Sequence, residues 1–145
     1  MTLTDSLVAI VDYQIDLLKS NAGLLGLNEV YYGDQNLIAT VPAVCVEGQR
    51  KTRDMSGTSF RSENLLRTTL LVYYSQMQDV NATQRDVEIL AEQIEEVLHT
   101  DQTMGGLVVH GRVIELEPGY AVRERVYLRA CRMTWQGISL THLGG

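Results

Sequence analysis

Hydrophobic and polar positions follow two periods along this chain, and each period marks a kind of element. From Asp5 to Asn21, the apolar residues Leu7, Ile10, Val11, Ile15 and Leu18 recur at helical spacing, while Asp12, Asp16 and Lys19 fall mainly off the stripe. That predicts an amphipathic helix laid on a core. Thr4 is placed to cap it through its hydroxyl oxygen, and Ala22-Gly23 to stop it. A second stripe is clearer: Val87, Leu90, Ala91, Ile94, Val97 and Leu98 repeat between Thr83 and His99, with Glu88, Glu92, Glu95 and Glu96 largely on the other side. Thr83 and Asp86 make an approximate capping box at its start.

Strand-like runs fill most of the rest. Glu29–Gly33 and Pro42–Glu47 read as short strands, the second opening on a proline where a missing amide is tolerated. Leu65 to Tyr74 forms the centre of a longer strand within Phe60–Met77. Its leucines occupy both parities, which predicts a central strand covered on both faces. Residues 107–136 read as a long C-terminal hairpin, strands 107–116 and 121–136, with Pro118-Gly119 at the centre of the turn. In the last strand Val122, Val126, Leu128 and Ala130 share one parity, and Arg123, Arg125, Tyr127 and Arg129 the other. Glu115 and Glu117 would then flank the turn and pair across the hairpin with Arg123 or Arg125. Between the strands, residues 48–59 (GQRKTRDMSGTS) carry two glycines, four charges and no apolar rhythm. They predict an exposed, flexible loop.

The expected architecture is α+β: a mostly antiparallel sheet of four to five strands with two amphipathic helices packed on it, in the order α-β-β-α-β-β. At 145 residues the chain fits a single domain, 1–145. The N-terminus has no basic region before its apolar residues and predicts no secretory leader. No apolar run reaches the ~20 residues a membrane span needs, so no membrane partner is expected.

Charge alters the picture more than composition does. The net charge of −6 argues against a nucleic-acid partner held by bulk electrostatics. Acids concentrate in residues 1–47 and 79–101, whereas 48–78 and 102–145 are net positive. Ten of the twelve basic residues are arginine, whose planar, many-donor head suits interfaces. Arg50, Lys51, Arg53, Arg123, Arg125 and Arg129 are the candidate interface residues. A solvated strand face and loop would carry the same charges, and both readings stand at this point.

The sequence carries no recognisable catalytic constellation. His99, His110 and His142 do not lie at metal-ligand spacing from a cysteine or from each other. Cys45 and Cys131 sit inside apolar runs and read as free, buried thiols. No glycine-rich turn has the strand–loop–helix context of a phosphate cradle. No cofactor, no metal and no enzymatic activity is expected.

Taken in order, the amphipathic N-terminal helix, the loop, NLLRTTLLVYYSQ, RDVEILAEQIEEVL and GGLVVHGRVIELEPGYAVRERVYLRACRMTW resemble the small tail terminator (tail completion) proteins of tailed bacteriophages. The likeness covers nearly the whole chain and is strongest over 83–136. It is a likeness of architecture and texture, with no invariant motif. It implies a structural virion protein, assembled in the host cytoplasm and located at the neck. Such a protein forms a homo-hexameric ring that caps the tail tube protein, ends tube growth and offers a face to the head–tail connector. The alternatives are another neck or tail-completion protein of similar fold and, from a different class, a small α+β enzyme with an unrecognised site.

Overall fold

The computed structural model describes residues 6–36, 38, 40–53 and 61–142. The elements run α1 (Leu7–Ser20), α2 (Ala22–Leu25), β1 (Glu29–Tyr32), β2 (Ala43–Arg53), β3 (Arg61–Gln76), α3 (Gln84–Leu98), β4 (His110–Arg123) and β5 (Val126–His142). The strands form one sheet in the order β1-β2-β3-β5-β4. The fold is α+β as the pattern predicts, with β3 at the centre. Two expectations are corrected. The sheet is mixed, because β1 pairs with β2 in parallel while the other three pairings are antiparallel. There are also three helices among the described residues, and the order is α-α-β-β-β-α-β-β.

Helices α1 and α3 lie on one face of the sheet and bury the stripes read from the sequence. Ile10, Val11 and Leu18 of α1 and Val87, Leu90, Ile94 and Leu98 of α3 meet Val44, Leu66, Leu70, Met133 and Trp135 from the strands. Each such side chain contributes roughly 1.5–3 kcal/mol when fully removed from water. Gln14 and Thr68 are buried polar residues in this layer, and Gln14 Oε1 accepts from the Thr68 hydroxyl at 2.8 Å. Thr83 and Asp86 close the capping box of α3. Helix α1 is capped by Ser6, whose Oγ accepts from Ala9 N–H, instead of by Thr4, which lies outside the described residues.

The indole of Trp135 explains two glycines. Gly111 on β4 and Gly137 on β5 are cross-strand partners. A Cβ on Gly111 would sit 2.0 Å from Trp135 Cζ2, and one on Gly137 would sit 2.4 Å from Cη2. The ring occupies the space that two side chains would otherwise take.

Two more expectations change. Gly48 to Arg53 are exposed, but they continue β2 instead of forming a loop. Backbone pairing to β3 outweighs their polarity. The rest of the expected loop, 54–59, lies outside the described residues. The hairpin turn is not at Pro118-Gly119. Strand β4 runs through them, and the chain reverses at Glu124 and Arg125, with φ of 49° and 65°. Two left-handed residues give the twist that a two-residue hairpin needs. Their cost, ~1–2 kcal/mol each, is set against a longer ladder that aligns Leu116 with Met133 and Ala121 with Leu128. Pro118 is tolerated because β4 is an edge strand.

Candidate functional site

The turn-proximal end of the hairpin is pinned to the loop after β1. Asp34 accepts from the Tyr73 hydroxyl at 2.6 Å and from the Arg123 guanidinium. Arg123 also donates to the Tyr73 hydroxyl at 2.7 Å and lies 5.3 Å from the centre of its ring. Burial, followed by the Asp34 hydrogen bond, raises the Tyr73 hydroxyl above its ordinary range. The Asp34 hydrogen bond likewise holds Arg123 more firmly protonated. Beneath this triad Cys45, Tyr73, Leu128 and Ala130 form a small second core on the face opposite the helices, with Ile38 and Val41 packed on it.

On the other face, the same end of the hairpin extends past the helices. Tyr120 is 71%, Tyr127 58% and Val122 44% exposed. Val122 and Tyr127 are direct cross-strand partners. Met77 donates its N–H to Tyr127 O at 2.8 Å and joins Tyr120, Arg125 and Tyr127 around a cleft of about 400 Å³. An apolar, aromatic patch with one cation at its rim has the composition of a protein-contact surface.

The six basic candidates do not form one surface. Arg50 stands exposed on β2, in a row across the sheet with Arg67, Gln136 and Arg112. Arg67 Nε donates to Gln136 Oε1 at 2.7 Å. Lys51 and Arg53 occupy the alternate parity of β2, and each has an interaction within the chain. Arg123 belongs to the Asp34 triad. Arg125 lies in the turn, so the two do not share a strand face. Arg129 is half-buried between Ser75 and Tyr120, its Nε enclosed without a hydrogen-bond partner. The sequence reading missed Asp34, Tyr73 and Tyr120, and nothing local signals an Asp34–Arg123 contact across 89 positions.

The sequence matches no protein-family model, and a search of the curated proteins found no match. The chemistry of the site must therefore be read from its residues.

Several other polar groups have structural partners, whereas Gln14 Nε2, Ser75 Oγ and Trp135 Nε1 are buried without a hydrogen bond. Glu117 faces Arg132 across β4–β5, not Arg123 or Arg125 as the misplaced turn implied. His99 Nε2 accepts from Val113 N–H at 3.0 Å, which ties α3 to β4. Cys45 and Cys131 are free, and burial pushes both thiols up to about 11. They belong to the cores on opposite faces of the sheet. Among the described residues no three His, Cys, Asp or Glu side chains gather to hold a metal ion. No described helix is long and apolar enough to cross a membrane. A cleft of about 560 Å³ by the β3–α3 connection has a mixed lining of apolar groups, amides and hydroxyls, with the carboxylate of Asp79.

Proposed function

We propose that this chain is a structural protein of a tailed phage, a tail terminator. Copies close into a hexameric ring on the tail tube, end its growth and present a face to the head–tail connector. The reading rests on the texture of the sequence, and one structural observation supports it best. The β4–β5 hairpin invests strands of 14 and 17 residues in an end that shows Tyr120, Val122 and Tyr127 to solvent. The Asp34–Arg123–Tyr73 triad fixes that end, so it meets a partner already ordered. Preorganisation of this kind lowers the entropic cost of association. Repeated around a closed ring, a modest contact becomes a stable one.

Sedimentation of the purified chain, alone and with tail tubes assembled from the tube protein, tests the reading. A hexamer in either sample is the expected result. A chain that stays monomeric and leaves tubes free to elongate would overturn it.

A further inference from the structure

Among the described residues, two stretches at the borders of the sheet have no further strand beside them, and they are complementary. Strand β1 covers β2 only along Ala43–Val46, and Gly33 N–H adds a bond to Val46 O. From Glu47 to Arg53, no described strand pairs with β2 on that side. At the opposite border β4 pairs with β5 along His110–Arg123, and no described strand lies beyond it. The antiparallel pairings β2·β3, β3·β5 and β5·β4 make β2 and β4 run in opposite directions. A second copy placed edge to edge, related by rotation about a ring axis, would therefore continue the sheet in antiparallel sense. Contacts of this head-to-tail type close rings.

Charge and shape together restrict the register. On the face away from the helices, one row across the sheet reads Glu47, Thr69, Thr134, Glu115, and the next reads Arg50, Arg67, Gln136, Arg112. Joining copies level would set Glu47 beside Glu115 and Arg50 beside Arg112, and like charges directly opposed destabilise a pair of strands. The neighbour's β1 would also abut β4 from about Glu117 onward. Sliding the neighbour towards the Glu124-Arg125 turn separates the like charges and shrinks the overlap with β1 to Tyr120–Arg123 after two rows and to Val122–Arg123 after three. After two rows Arg50 faces Glu117; after three it is diagonal to Glu117, still within reach of a long side chain. Two to three rows is about 13–20 Å along the strands. Across four strands spaced ~4.8 Å, that slope is ~35–45°, the tilt of strands in closed barrels. Glu115 and Glu117 share a strand face on this edge, and the Glu117 hydrogen bond is the main cause raising the Glu115 carboxyl, with Arg132 and Arg67 offsetting it in part.

We infer that the Glu47–Arg53 edge of one copy pairs antiparallel with β4 of the next, the guanidinium of Arg50 meeting the Glu115–Glu117 carboxylates. The contact rests on the ring reading above and gives that ring its joint.

Charge exchange in the full-length chain tests it. Arg50→Glu and Glu117→Arg should each weaken self-association by about tenfold, the scale of close interfacial charge pairs. The double variant should recover most of that loss. Glu117→Gln, which adds no cation beside Arg132, should act in the same direction and more weakly. Mass by sedimentation equilibrium from micromolar to millimolar concentration gives the readout, with circular dichroism to verify folding. Folded single variants that associate like the wild type, or a double variant no better than either single, overturn this joint while leaving a wild-type ring in place. A wild-type chain that never self-associates, alone or on tubes, overturns joint and ring together.

Discussion

The two ends of the β4–β5 hairpin have opposite characters. At the end farther from the turn, Gly111 and Gly137 are stripped of side chains so that Trp135 can lie fully buried over them. At the turn end, Tyr120, Val122 and Tyr127 remain exposed on the face where the helix layer has stopped. The same two strands thus serve stability at one end and, in our reading, contact at the other. The largest test of this contrast is Gly111→Ala. Its methyl would meet the indole at 2.0 Å. Overpacking of this kind costs about 1–3 kcal/mol, occasionally more, and we expect the upper end because the obstacle is a rigid ring. Urea unfolding should show a lower midpoint with an unchanged slope. A loss within ~0.5 kcal/mol, the range of surface substitutions, would mean that the Trp135 end is looser than it looks.

The pin at the turn end should matter less. Asp34→Ala leaves the Tyr73 hydroxyl and Arg123 without their shared acceptor, and we expect about 1–2 kcal/mol of lost stability. Tyr73→Phe keeps the packing and removes only the hydroxyl, so it should cost less than Asp34→Ala. Equal losses would locate the whole effect in the Tyr73–Asp34 hydrogen bond and leave Arg123 no share in it.

Smaller still is a pH effect near the Trp135 end. Asp101, between α3 and β4, accepts from the Tyr13 hydroxyl, from Thr103 N–H and Oγ and from Gly105 N–H. Led by the Tyr13 bond, these donors lower its carboxyl from 3.8 to about 2. A depressed folded value gives stability that is present above the unfolded pKa and lost as pH falls through the folded one. The contribution should therefore fade between about 4 and 2. Asp101→Asn should flatten stability against pH in that window only. A variant whose acid profile matches the wild type would remove Asp101 from the account.

These contrasts also show what the sequence could and could not disclose. The helix stripes were legible because burial repeats every three or four residues, and α3 buries the six apolar positions the pattern named. Strand β3 was legible as central because both of its parities are apolar. The parallel β1–β2 pairing was not legible, since a four-residue strand carries no mark of its neighbour's direction. The turn was misread because Pro118-Gly119 has the local chemistry of a turn, while Glu124-Arg125 is selected by the match of apolar positions along two strands. Of the candidate residues, the sequence offered Arg123 as an exposed cation. Its actual partners, Asp34 and Tyr73, are brought to it only by the closed sheet.

The smallest effect on stability is expected where the effect on assembly should be clearest. Tyr120→Ser and Tyr127→Ser truncate side chains that are mostly in water, so each should change unfolding free energy by no more than ~0.5 kcal/mol. Together they remove the aromatic part of the hairpin end, and exposed aromatic groups gain most when a partner covers them. The double variant should fold like the wild type and fail to form the ring, or to bind tail tubes, at concentrations where the wild type does. Gly111→Ala should behave in the opposite way: once stabilised by low temperature or osmolyte, it should still assemble, because its damage is confined to the core. If the tyrosine variant assembles normally while Gly111→Ala does not, contact resides at the Trp135 end and the division of labour along the hairpin is reversed.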